Sequence, residues 1–206
     1  MIPILHADDD LIIVNKPHDL LSVPGKGPEK QDCLINRIIA QGYPTAVIVH
    51  RLDYATSGVM VIALNKQTHK ALSMLFQNRQ VDKSYQAIVN GVMVHDQGIV
   101  DQPLRCDWEN RPLQIVDYEW GKKALTHWQT LQSLEHSTRI MLYPQTGRSH
   151  QLRVHMQWIN HAICGDRFYA DNDESLFPRL CLHAQFLSFT HPSTNELLSI
   201  TTDCPF

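Results

Sequence analysis

The chain has 206 residues, 43% of them apolar and 19% charged, and a formal net charge of −3. That length reads as a single domain spanning residues 1–206, on a prior of about 100–200 residues per domain. The composition excludes a disordered or fibrous chain. No run reaches the roughly 18 apolar residues of a membrane span, and the N-terminus lacks the basic flank and cleavage site of a signal peptide. A cytoplasmic protein is expected.

The five cysteines form no CxxC pair, a pattern of reduced thiols rather than of a disulfide scaffold. The twelve histidines include no HExxH, so no metal is expected. No GxGxxG or Walker sequence offers a nucleotide cradle, so no cofactor is expected either.

In chain order, Leu11 to Val14 reads as a strand closed by Asn15-Lys16-Pro17. Asp32 is placed to cap a helix with Leu34, Ile35, Ile38 and Ile39 on its apolar face, ended by Gly42 and Pro44. Ala46 to Val49 and Val59 to Leu64 are strand-like and flank His50-Arg51-Leu52-Asp53 and a Thr56-Ser57-Gly58 turn. Asn65 caps a second helix with Ala71, Leu72, Leu75 and Phe76 inward. Strands follow at Lys83 to Val89, around Ile99, and at Leu113 to Tyr118, Ala124 to Leu131 and Thr138 to Tyr143. A helix opening near Ser149 presents Leu152, His155, Met156 and Ile159, and two strands, Leu180 to Thr190 and Glu196 to Thr202, close the chain. Helices interrupt strands too irregularly for βαβ repetition, which gives a mixed α+β class.

Charge is unevenly spread. Residues 33–90 carry +4 and residues 139–167 carry +3, in a background that is otherwise acidic. Brought together, the two blocks would form a positive cleft able to attract a polyanion. Charge alone leaves a chance fluctuation equally open.

Three segments carry chemistry. Arg51 and Asp53, two apart, share one face of an extended segment while Leu52 faces the other way. A cation beside a carboxylate favours its ionised form, which a nucleophile or base requires. On spacing alone, a surface ion pair is the stronger reading. In Thr146 to His155, Arg148 at a turn and Arg153 one helical turn later suit a phosphate site, an anchor for Asp53, or merely a basic helix start. In Lys83-Ser84-Tyr85-Gln86-Ala87, a strand tyrosine beside a cation suits base stacking, although core packing is the commoner use.

His50 to Gly58, Lys83 to Ala87 and Gly147 to His155 together resemble the three ordered motifs of the RluA-type pseudouridine synthases. Asn15 to Pro17, Leu21 to Pro24, Gly165 to Tyr169 and Leu182 to Ala184 extend the similarity over nearly the whole chain. The resemblance implies a mainly antiparallel sheet with flanking helices and a central RNA-binding cleft. It implies catalytic roles for Asp53, for Arg153 as its partner, and for Tyr85 against the target base. RNA contacts fall to Arg51, His50, Lys83, Arg148 and His150. The implied reaction isomerises uridine to pseudouridine without metal or organic cofactor, with the base flipped out of its stack. For Asp53, attack on C1′, attack on C6 and removal of the C2′ proton all stay open.

The first strand begins near Met1, so no S4-like domain is expected in front, and the protein is expected to act as a monomer. The expected substrates are hairpin loops of 23S rRNA and of the tRNA anticodon arm, with a synthase for only one of these RNAs as the alternative. A glycosidase would need a second carboxylate, and the basic blocks hold only Asp53, Asp82 and Asp166. A non-catalytic RNA-binding protein would have no use for Asp53, Tyr85 and Arg153 together. Ser57 lacks the GxSxG setting of a serine hydrolase.

Overall fold

Each apolar run named above becomes a strand or a helix in the computed structural model, which describes residues 1–170 and 177–206. The elements are β1 (Ile4–Ala7), β2 (Leu11–Lys16), α1 (Leu34–Ala40), β3 (Val47–Ile48), β4 (Ser57–Ala63) and α2 (Lys66–Gln77). Then come β5 (Asp82–Asn90), β6 (Gln97–Asp101), β7 (Leu104–Cys106), β8 (Gln114–Val116), β9 (Leu125–Ser133) and β10 (Ser137–Pro144). The chain ends with α3 (Gln151–Trp158), β11 (Leu182–Thr190) and β12 (Leu197–Thr201). The class is α+β with mainly antiparallel pairing. Two compact units are present, one of Met1–Lys83 with Ala184–Pro205, the other of Ser84–His183 with Phe206.

In the first unit β2 pairs antiparallel with both β1 and β4, β3 adds to β4, and β12 pairs with β11. All seven residues of β4 are buried, which is why this stretch reads as a continuous apolar run rather than an alternating one. Leu11, Ile13, Val59, Val61, Leu72, Leu187 and Phe189 form the core, with Leu75 and Phe76 of α2 packed on it. Asn65 caps α2 as expected, its Oδ1 accepting the Thr68 N–H at 2.9 Å. Asp32 does not cap α1. Cys33 occupies that position, and the Asp32 carboxylate instead takes both Nε and Nη2 of Arg37, at 2.7 and 2.6 Å. The bidentate pair with a guanidinium outcompetes the weaker bond to a helix N–H.

The second unit carries β5, β10, β9 and β6 as successive antiparallel neighbours, together with a β7–β8 ribbon. Leu104, Ala124, Val154 and Tyr169 make a core cluster there. The helix α3 begins at Gln151, two residues later than the sequence suggests. His150 has φ 52°, a left-handed conformation that an α-helix cannot include. Among the described residues no helix is long and apolar enough to cross a membrane.

Gly58, the last residue of the first motif, pairs with Lys16 and has φ +123°. A Cβ there would lie 2.2 Å from the Ala184 carbonyl oxygen and 2.6 Å from its nitrogen. Backbone cannot yield as a flexible side chain can, and the dihedral itself disfavours an L residue. Gly58→Ala is expected to lower unfolding free energy by about 2 kcal/mol or more, read from urea denaturation.

Candidate active site

The loop from Arg51 to Tyr54 belongs to neither flanking strand, so its geometry must come from elsewhere. Leu52 is buried while Arg51 is exposed and Asp53 half-buried, which is the alternation the sequence suggests. Ser22 holds Leu52 on both sides: its Oγ donates to the Leu52 carbonyl at 2.8 Å and accepts the Leu52 N–H at 3.2 Å. The Thr56 N–H closes a turn on the Asp53 carbonyl at 3.1 Å. The Tyr54 carbonyl accepts the Leu20 N–H at 3.1 Å and the Lys16 ammonium at 3.2 Å.

Lys16 is fully buried, and its Nζ also donates to the carbonyls of Leu20 at 2.7 Å and Pro17 at 2.9 Å. A buried ammonium is tolerable only where its N–H groups are met by acceptors. Here the acceptors are backbone oxygens of two loops, which the charge ties together. Sequence reasoning assigned no role to Lys16 or Ser22. Their signal was present in the Asn15-Lys16-Pro17 and Leu21-Ser22-Val23-Pro24 segments, without a hint of what they touch.

His50 is engaged by the fold. Its Nε2 accepts the Val61 N–H at 3.2 Å and its ring stacks on Phe76 at 4.4 Å. Burial, with the Lys83 cation adding to it, pushes the His50 imidazole down to about 3, so the ring is neutral near pH 7. Burial and the neighbouring Arg79 charge lower the Lys83 ammonium as well, against a smaller opposing effect of Asp82.

In the second unit, Gln151 organises the third motif. Its side-chain oxygen accepts the Thr146 hydroxyl at 2.7 Å and the Arg148 N–H at 3.0 Å. Its amide donates to the Leu125 carbonyl at 3.1 Å and to Thr126 Oγ1 at 3.0 Å. Every hydrogen-bonding position of this buried amide is used, which fixes the turn ahead of α3. Arg148 is exposed and its Nε donates to the Lys123 carbonyl at 3.0 Å. His150 Nδ1 lies 2.7 Å from Tyr169 Oη, which also accepts the Gln114 N–H at 2.8 Å. Tyr85 sits half-buried on β5 opposite Leu142.

Arg153 is buried and pairs bidentately with Asp166, Nε and Nη2 each 2.7 Å from a carboxylate oxygen. Asp166 Oδ1 also accepts the Phe168 and Tyr169 N–H groups, at 2.9 and 3.3 Å. The guanidinium lies 5.2 Å from the Phe168 ring centre and 5.0 Å from that of Tyr169. Asp166, which no motif reading singled out for catalysis, is thus what orients the third-motif arginine. Arg51, His50, Lys83 and Asp53 lie in the first unit, and Tyr85, Arg148, His150 and Arg153 in the second.

Burial pushes the Cys164 thiol up to about 12, which makes it inert. Among the described residues no group of three His, Cys, Asp or Glu side chains converges on a metal position.

Two outcomes follow for stability. Asp166→Ala strands a buried guanidinium and is expected to cost about 3–5 kcal/mol in chemical denaturation. Burial, aided for His183 by the Arg179 charge, holds His50 near 3 and His183 near 4, against an ordinary 6.5. The unfolded chain therefore binds more protons than the folded one below 6.5. Stability is expected to fall as pH drops from 6.5 toward 4, and less steeply in His50→Gln, as followed by pH-dependent urea midpoints.

Comparison with known proteins identifies the family and the fold. The RNA pseudouridylate synthase family model matches residues 10–158. The dual-specificity RNA pseudouridine synthase RluA of Yersinia pestis is 49% identical over 98% of this chain and 99% of its own. That of Escherichia coli strain K12 is 46% identical, over 98% and 93%. Human RNA pseudouridylate synthase domain containing 1 superposes with a TM-score of 0.81 at 26% identity, covering all of this chain and 84% of the other. Domain containing 4 gives 0.79 at 29% identity, covering 98% and 88%. With its three motifs in order on this α+β framework, the chain belongs to the RNA pseudouridylate synthase family.

Proposed function

We propose that the protein isomerises uridine to pseudouridine in hairpin loops of both 23S rRNA and the tRNA anticodon arm, with Asp53 as the catalytic carboxylate. The observation that carries this is the Arg51–Tyr54 loop, whose backbone is fixed by buried Ser22 and Lys16 while Arg51 and Asp53 stay accessible. Pre-organisation of that kind is what a catalytic group needs. Two relatives carry dual specificity in their names, which supports the pair of RNA classes.

The C1′–N1 bond of the target uridine breaks, the uracil turns, C5 bonds to C1′ and the C5 proton leaves for N1 or solvent. The product has the atoms and the oxidation state of the substrate, so the sequence of steps calls for no redox cofactor. Asp53 serves bond cleavage at the sugar or base, Arg153 supports its charge, and Tyr85 packs on the uracil and serves C5 deprotonation. Arg51, Lys83, Arg148 and His150 contact the RNA, and His50 stands behind the first motif as a neutral support. The protein acts as a cytoplasmic monomer. A loop uridine is favoured because flipping costs least where stacking is already weak. A glycosidase reading is weakened, since Asp166, one of the two other acids in the basic blocks, is buried and paired with Arg153.

Asp53→Asn keeps the side-chain size while removing charge and nucleophilicity. Pseudouridine formation is expected to vanish while RNA affinity stays within about threefold of wild type, because Arg51, Lys83 and Arg148 are unaltered. Substantial product from the purified variant contradicts the role. In cells lacking the gene, pseudouridine mapping of total RNA is expected to lose one anticodon-arm site and one 23S hairpin site together. Loss of a single rRNA site would leave the synthase and remove its dual specificity.

A further inference from the structure

Two side chains leave the Asp53 loop for solvent, one on each side of the carboxylate. Arg51 is one. Tyr54 is the other, and it is 53% exposed. Among the described residues its ring and hydroxyl have no aromatic, cationic or hydrogen-bonding partner in the protein, and its neighbours Leu52 and Thr56 supply the inward packing. The backbone beneath the ring is not loose. The Tyr54 carbonyl is held by Leu20 N–H at 3.1 Å and by buried Lys16 Nζ at 3.2 Å, so the side chain projects from a fixed base.

We infer that Tyr54 is a stacking platform for a nucleobase adjoining the target uridine, a reading that rests on Asp53 being the catalytic carboxylate. The reacting atom must come within about 3–3.5 Å of Asp53, and the Tyr54 Cα is about 3.8 Å along the chain from that of Asp53. Flipping the uridine leaves its neighbours within one nucleotide of this position, inside the span of a tyrosine ring. Arg51 offers a cation to the phosphates while Tyr54 offers a π-face, the two elements that together bind single-stranded nucleic acid. Stacking accepts any base, because every base has a π-face. That tolerance suits an enzyme reading loop shape in more than one RNA. With only two side-chain torsions, a tyrosine on a fixed backbone also loses little conformational freedom on binding.

The test uses the full chain and a synthetic anticodon-arm hairpin. Tyr54→Ala is expected to raise KM about tenfold with kcat within about twofold, the loss of one stacked base. Tyr54→Phe, which keeps the ring, restores KM, and Tyr54→Leu does not. The melting temperature of all three is expected to stay close to the wild-type value, since about half of the residue is open to solvent. With loop nucleotides replaced one at a time by 2-aminopurine, wild type quenches the fluorescence at one position adjoining the target, and Tyr54→Ala does not. A wild-type KM and an intact quench in Tyr54→Ala overturn the inference. If Asp53→Asn is inactive in the same assay, that result overturns the stacking role alone. If Asp53→Asn is active, the catalytic reading fails and the stacking role falls with it.

Discussion

The burial of one ammonium group sets the geometry on which the first motif depends. Lys16 ends β2 inside the protein, and its charge is met by the carbonyls of Pro17, Leu20 and Tyr54. Hydrogen bonds to a charged group are worth about 1.5–3 kcal/mol each, and leaving such a group unmet costs more. The two loops that supply these oxygens therefore have little freedom to separate. Ser22 repeats the device one step along the loop, with one hydroxyl serving both N–H and carbonyl of Leu52. Asp53 lies between these two anchor points, so residues more than thirty positions earlier in the chain build the backbone that carries it.

The second unit solves the same problem with different groups. A fully bonded glutamine fixes the turn before α3, and a buried carboxylate fixes the arginine within it. In both units, then, motif side chains stand on buried polar supports, with Asp53 half-exposed, Arg148 exposed and Arg153 itself buried. This arrangement explains how a chain with a net charge of −3 can address a polyanion. The positive charge is concentrated in residues 33–90 and 139–167, while the His50 ring is held neutral and His150 is bonded within the protein. The acidic remainder lies elsewhere in the sequence, and a negative total charge weakens non-specific attraction to a polyanion.

Most of the framework was legible in the sequence because its strands are apolar and its helices periodic. The runs that became β4, β9, β10 and β11 needed only hydrophobic pattern, and the Asn65 cap followed from residue type and position. The short strands β1 and β7 were not legible. Ile4–Ala7 has no fully buried residue and Leu104–Cys106 only one, so neither produces an alternation to detect. The start of α3 was misplaced because a left-handed His150 is a tertiary consequence, invisible to helix propensity. The supports were missed for one common reason. Lys16, Ser22, Gln151 and Asp166 are polar, and a one-dimensional pattern assigns polar residues to the surface, whereas here all four are buried. Motif resemblance pointed to their segments, and their partners are set by the tertiary fold.

If the buried supports set the geometry of the Asp53 loop, weakening one of them must damage chemistry more than RNA binding. The most direct measurement is the single-turnover rate of Ser22→Ala beside its RNA dissociation constant. The substitution removes one oxygen, and with it the contacts to the Leu52 N–H and carbonyl. A displacement on the order of 1 Å costs about a hundredfold in rate. The account predicts a rate reduced at least tenfold, with RNA affinity within about twofold of wild type. A Ser22→Ala enzyme that turns over at the wild-type rate would contradict it.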